Sequence, residues 1–294
     1  MDQTAKLAKS ITKKASKQTY YTARYMVDRN LVDDFFRAYA YFRWMDDMID
    51  ESLESQKERI SFIKRQKELI DVLYQKKRPN SLNSYEEIMA VLIEHDQKVN
   101  SKLQSFIRNM FAIVEFDAYR KWQIITEKQL EWYTNCVAKS TTDGLQYFIG
   151  NNHQYPIAEN QYFAAKAAHI VHLLRDTVED LQNGFINVPK EYIELYGIDL
   201  SQIDSAAFRA WVRERTAKAR EYFMKGKHYL ETLDILRCKT VGLWYCARFE
   251  SILDKIEKEN YLLKSTYEEK GKTSRLIKMA QLTLVAPFKN RNSF

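Results

Sequence analysis

Asp46, Asp47 and Asp50 stand together in RWMDDMID (43–50), and Asp176, Glu179 and Asp180 in LLRDTVED (173–180). Side chains at i, i+3, i+4 and i+7 share one face of a helix. Arg43, Asp46, Asp47 and Asp50 therefore make one stripe, and His169, His172, Asp176 and Asp180 a second, with Arg175 and Glu179 beside it. Both interrupt apolar sequence. Phe35, Phe36, Tyr39, Tyr41, Phe42, Trp44 and Met45 lead into the first, and Ala164, Ala165, Ala167, Ala168, Ile170, Val171, Leu173 and Leu174 surround the second. A helix apolar on nearly every side belongs in an interior, where an unpaired carboxylate is costly or takes up a proton. The acids make chemical sense if the stripes face each other across a cavity and gather divalent cations. Magnesium prefers oxygen ligands, keeps several waters and commonly joins one or two carboxylates to a substrate's phosphates. The expected ligand is thus a diphosphate, with Arg43 and Arg175 as donors to its remaining oxygens. For either stripe alone a salt-bridged surface patch is an equal reading, because such spacings are common on solvated helices. Two such stripes, each with a nearby arginine, favour metal.

At these residues the chain resembles the squalene/phytoene synthase family of head-to-head prenyltransferases. RWMDDMID is similar to that family's R-x-x-D-D-x-x-D motif, LLRDTVED to its L-R-D-x-x-E-D motif, and NGFINVPKEYIELYGI (183–198) to the turn, proline and new helix that follow. EFDAY (115–119), EWYTNCVA (131–138) and ARFESILDKIEKENY (247–261) extend the likeness from about residue 16 to 275. The resemblance implies an all-α, single-domain isoprenoid synthase-like fold with a central cavity. It implies a catalytic domain over 16–285, preceded by a basic segment 1–15 and followed by a tail 286–294. It also implies two or three magnesium ions as cofactor and allylic isoprenyl diphosphates as substrates. Asp46, Asp50, Asp176 and Asp180 are then the catalytic metal-binding positions, with Asp47 and Glu179 supporting. Ser16, Arg43, Tyr133, Asn135, His169, His172, Arg175 and Phe249 match substrate-binding positions. The implied reaction is metal-assisted loss of diphosphate, attack of a second molecule's double bond on the allylic cation, and closure of a cyclopropylcarbinyl diphosphate. An aromatic lining would shield the cations, with Phe36, Tyr39, Phe42, Trp132, Tyr133 and Phe148 as candidates that serve equally as core.

The sequence departs from the family pattern at several positions. His172 and His169 stand where Asn and Gln are usual, and imidazole is a poorer magnesium ligand than an amide oxygen. Three roles stay open for this pair: neutral histidines hydrogen-bonded within the core; diphosphate contact, proton transfer or water-mediated metal contact; and direct metal ligation. Val137-Ala138-Lys139 replaces a V-A-G stretch, and Asn135 and Phe249 occupy positions where tyrosine is usual. Such changes around intact carboxylates point to altered product or chain length.

These side chains need long helices to hold them. The 294 residues include 7 Gly and 4 Pro, well below average usage, so few tight turns are expected. Helices are predicted at 19–27, 31–51, 57–76, 84–96, 99–121, 126–150, 159–184, 205–234, 238–263 and 273–284. In 99–121, for example, Leu103, Phe106, Ile107, Met110, Ile113 and Val114 recur at spacings of 3 and 4. Cys136, Cys238 and Cys246 form no CxxC pair, which argues for a reducing compartment. With no run of about 20 apolar residues and no signal peptide, a cytoplasmic protein is expected. The +7 charge is read as a solvated surface or as suited to anionic phosphate ligands or a membrane surface, and no nucleic-acid motif accompanies it. RLIKMAQLTLVAPFK (275–289), apolar with basic flanks, is either a packed helix or a peripheral membrane contact. No feature indicates NADPH. The rival readings are a non-catalytic lipid-binding or assembly factor on the same fold, a class I terpene cyclase, and an iron enzyme using His169, His172 and Asp176. The intact aspartates, the LRDTVED form of the second motif, and the lack of paired E-x-x-H motifs argue against them in turn.

Overall fold

The computed structural model describes residues 2–96, 98, 100–151, 153–265 and 267. The helix expected at 273–284 and the apolar stretch 275–289 lie outside the described residues. Those described are overwhelmingly α-helical, with one pair of two-residue strands. The chain divides into two compact units, one from Met1–Tyr119 with Asp143–His153, the other from Arg120–Thr142 with Gln154–Phe294.

The first unit begins with α1 (Gln3–Ala15), a helix the sequence reading did not anticipate. Asp2 caps it, accepting a 2.8 Å hydrogen bond from the Ala5 amide. Ala5, Ala8 and Thr12 form a narrow buried face packed on α3 (Val32–Asp47), while Lys6, Lys13 and Lys14 stay exposed. Lysine density hides so slim an apolar stripe. Arg37 of α3, 3% exposed, joins the two helices by pairing with Asp34 and with Asp2 at 2.6 Å. It also donates to the Thr4 hydroxyl at 3.0 Å. Asp2 is held at a pKa of about 2 by hydrogen bonds from Thr4 and Ala5, with Arg37 adding to them against partial desolvation.

Helix α2 (Lys17–Met26) follows α1 directly, and α4 (Gln56–Tyr74) and α5 (Ser84–His95) each open with a capping box. Tyr41 of α3 donates to Gln66 of α4 at 2.9 Å, and Gln66 donates to the buried Glu86 of α5 at 2.9 Å. That network fixes the register of α3, which carries the first acidic stripe. Phe42 is packed edge-on against Phe106 and Phe111 of α6 (Lys102–Arg120). The reading of one helix over 31–51 holds as far as Asp47. Met48–Ser52 then widens into a π turn, closed by the Leu53 amide on the Met48 carbonyl at 2.9 Å. Such single π turns are frequent at functional sites.

In the second unit α7 (Glu127–Phe148) contributes its first four turns, joined by α8 (Phe163–Gln182), α9 (Lys190–Tyr196), α10 (Ala206–Glu231) and α11 (Leu236–Lys258). Helix α8 packs chiefly on α10 and α11. Its alanines permit a close approach: a Cβ on Gly226 of α10 would lie 2.2 Å from the Ala164 nitrogen. Strands β1 (Gln123–Ile124) and β2 (Phe185–Ile186) pair in parallel, Gln123 with Phe185 and Ile124 with Ile186. This clip ties the start of α7 to the end of α8. Gly184, at φ +85°, lies so close beneath the Trp122 ring that a Cβ there would come within 2.5 Å of it.

Candidate active site

Asp46, Asp47 and Asp50 project from the last turns of α3, where the helix gives way to the π turn. Arg43 pairs with Asp47 at 2.5 Å and approaches Asp46 at 3.6 Å. The arginine expected to meet a diphosphate thus engages the acids of its own stripe. The Asp46 carboxyl is pushed up to about 6, first by desolvation and then by the charge of Asp50. Arg43 opposes the rise, and Asp117 and Asp47 add to it. Its side chain still exposes 56% of its surface. Crowding by protein and by like charge therefore raises it, rather than sealing from water. Ions can reach it.

Asp117 was missed by motif reasoning, although EFDAY attracted notice. Its signal is positional: it continues the Met110, Ile113, Val114 stripe of α6, placing an acid where the apolar face runs.

The second stripe lies on the last turns of α8. Arg175 grips Asp176 with two bonds of 2.6 and 2.5 Å, and the His172 Nε2 lies 2.9 Å from Oδ2, the oxygen that also accepts from the Arg175 Nη2. Burial, the largest effect, pushes Asp176 upward. The Arg175 and His172 hydrogen bonds outweigh it and hold the carboxyl at about 2. With Nε2 turned to Asp176, His172 is arranged to orient a carboxylate, the role histidines and carboxylates exchange around metals. Asp180 accepts a 2.7 Å hydrogen bond from Asn187, whose own oxygen accepts one of 2.8 Å from Arg120. The Arg120 guanidinium lies 4.9 Å from the ring centres of both Tyr133 and Phe185. This chain, from buried Arg120 and Asn187 to half-buried Asp180, was not anticipated.

His169 is 5% exposed, with Nδ1 3.1 Å from the Thr134 hydroxyl oxygen and the Tyr133 ring edge-on at 5.0 Å. Thr134 donates its own proton to the Leu130 carbonyl at 2.8 Å, so His169 Nδ1 is the donor. Burial holds this histidine well below its ordinary pKa, with repulsion from His172, Arg120 and Arg215 adding to the effect. Its setting is that of a buried, hydrogen-bonded histidine held away from the charged form. Phe249 is buried and packs against Tyr245 at 4.9 Å, with the His172 ring 6.3 Å away. Ser16 caps α2, accepting from the Thr19 amide at 3.2 Å. Asn135 faces a recess shared with Lys166 and Arg215. Phe36, Phe42 and Phe148 belong to the buried aromatic core of the first unit, and Trp132 is 46% exposed.

Among the described residues no three His, Cys, Asp or Glu side chains converge into a ready-made metal cage. The donor set nonetheless fits magnesium, which binds through one or two carboxylates and completes its shell with water and phosphate oxygen. An Asp46 raised by neighbouring acids is a carboxylate short of positive charge. No helix among the described residues is long and apolar enough to cross a membrane.

The squalene/phytoene synthase family model matches residues 12–276. Among solved structures, squalene synthase HpnC from Alicyclobacillus acidocaldarius shares 17% identity at a TM-score of 0.70, over 89% of this chain and 95% of that one. TcSQS in complex with the ligand BPH1237 shares 13% identity at a TM-score of 0.71, over 99% of this chain and 93% of that one. The all-α fold expected from the sequence is thus the one these synthases share. With both Asp-rich motifs present and the match spanning most of its length, the chain belongs to the squalene/phytoene synthase family of prenyltransferases, which join isoprenyl diphosphates head to head.

Proposed function

We propose that this enzyme condenses two C15 or C20 allylic diphosphates with magnesium as cofactor. The product is of the squalene, dehydrosqualene or phytoene type, or the cyclopropyl diphosphate that precedes them. The observation that carries the reading is Asp46, raised to about 6 beside Asp50 and Asp117 although solvent reaches it. Magnesium held by these residues would supply Lewis-acid help to a departing diphosphate and a template for its oxygens. Asp46 and Asp50 offer carboxylate oxygens from one stripe, and Asp176 and Asp180 from the other, with Asp47 and Glu179 in support. Arg43 and Arg175 neutralise these acids in the free enzyme. With cations held by those acids, both guanidinium groups would be available to diphosphate oxygens. His172 and Asn187 orient Asp176 and Asp180 respectively. Neutral His169 adds no positive charge that would repel an allylic cation. The enzyme works in the cytoplasm with peripheral contact to the membrane that receives its product.

The test is incubation with farnesyl and, separately, geranylgeranyl diphosphate, with magnesium or with chelator, followed by product identification. A C30 or C40 hydrocarbon or its cyclopropyl diphosphate, formed only with metal, is expected. Binding of both diphosphates without turnover would instead identify a non-catalytic relative. A monocyclic or linear C15 or C20 terpene would identify a cyclase.

A further inference from the structure

From Gln3 to Val27 the chain carries no acidic residue, although 39 are spread over its 294 positions. The same stretch, α1 and α2 of the first unit, bears Lys6, Lys9, Lys13, Lys14, Lys17 and Arg24. None of these cations forms an ion pair among the described residues. The acids at either end are engaged inside the unit. Asp2 accepts from Thr4, Ala5 and Arg37, and Asp28 accepts from the Gly150 and Asn151 amides at 2.9 and 3.1 Å. On α2, Lys17, Tyr21, Arg24 and Tyr25 stand at i, i+4, i+7 and i+8, so they share one face, and all four are exposed. Tyr20 and Ala23 bury the opposite face. Tyr21 is 50% and Tyr25 69% exposed, and their rings stack 6.3 Å apart at an angle of 9°. A single exposed aromatic needs no explanation. Two stacked rings between cations make an apolar body edged with positive charge.

We propose that this α1–α2 surface seats the enzyme on a bilayer of anionic phospholipids. The inference rests on the peripheral membrane contact named above and gives that contact a place. Tyrosine suits the headgroup level, with its ring toward the acyl chains and its hydroxyl in water. Lysine and arginine stems lie along such a surface while their charged heads meet lipid phosphates. A nucleic-acid duplex also offers phosphates. A synthase whose product is a hydrocarbon has reason to sit on lipid instead.

Co-sedimentation of the full chain with vesicles, without substrate or magnesium, tests this. Saturable binding is expected to phosphatidylcholine vesicles containing phosphatidylglycerol, and little to phosphatidylcholine alone. Added salt should weaken it, because these charges are exposed. Lys14→Gln and Arg24→Gln should each weaken it about five-fold. Lys57→Gln on α4, the same change of charge outside both helices, should weaken it by less than about two-fold. Replacing Tyr21 and Tyr25 together by serine should abolish the binding that survives high salt. All of these side chains are exposed, and an unchanged circular dichroism spectrum verifies that each variant is folded. Vesicle binding that persists undiminished in Lys14→Gln and Arg24→Gln overturns this surface, while leaving peripheral contact through another part of the chain. No binding to either kind of vesicle overturns both. Tight binding to a DNA duplex without binding to vesicles also overturns the proposal and makes the partner a nucleic acid. None of these readouts depends on product formation, so failure here and failure of the proposed condensation are told apart.

Discussion

Asp46 and Asp176 bear the same chemistry in opposite electrostatic settings. Asp46, at about 6, holds a proton that an unfolded chain releases near the ordinary 3.8. The folded state therefore loses stability as pH rises from about 4 to 6, and the penalty is complete above that. Removing it by Asp46→Asn should stabilise the metal-free enzyme at neutral pH by on the order of 1 kcal/mol after discounting for solvent, or about 2 °C in Tm. Turnover should fall at least about a thousand-fold, so calorimetry and product assays should move in opposite directions. Asp176, held at about 2, contributes stability that is present above 3.8 and lost as pH falls toward 2. The gap in urea midpoint between wild type and Asp176→Asn should be widest at pH 5 and above and close near pH 2. Asn187→Ala should weaken magnesium binding by about 10- to 100-fold, as removal of supporting groups usually does, with Asn187→Gln partly restoring it. The six stripe acids were legible because their type conflicts with their apolar setting. Asn187 and Arg120 were not, since their partnership spans 67 positions and leaves no local spacing to find.

Among the elements, the long helices announced themselves through apolar periodicity, and their ends deviate by a few residues where caps rather than periodicity decide. Helix α1 stayed hidden because alanine and threonine, not large apolar residues, form its buried face. The β1–β2 clip is too short for alternation to register. The π turn at Met48–Ser52 had no signal either, because it depends on where the Leu53 amide finds a carbonyl. Contact between α8 and α10 is set by backbone proximity at Gly226. Gly226→Ala should cost about 1–3 kcal/mol in urea unfolding, since rigid backbone and not a flexible side chain stands in the way. Because α8 carries the second stripe, the same change should raise the magnesium requirement for turnover.

For the molecule as a whole, scarcity of glycine and proline indicated a helical protein, and the two motifs supplied the family. What the sequence withheld was environment. Two histidines in equivalent-looking positions part company in the structure, His169 buried against Thr134, His172 half-exposed and bonded to Asp176. His172→Asn should therefore retain turnover within about ten-fold while shifting the product distribution, read by chromatography of the extracted hydrocarbons. The lysine-rich first fifteen residues look expendable on paper. Arg37 argues otherwise: two acids balance it, and one of them, Asp2, arrives only with that leader. Trimming the leader would strand half the counter-charge of a guanidinium inside the very rod that presents RWMDDMID. Damage at the extreme amino end should then surface as a faltering catalyst rather than as a merely shorter one.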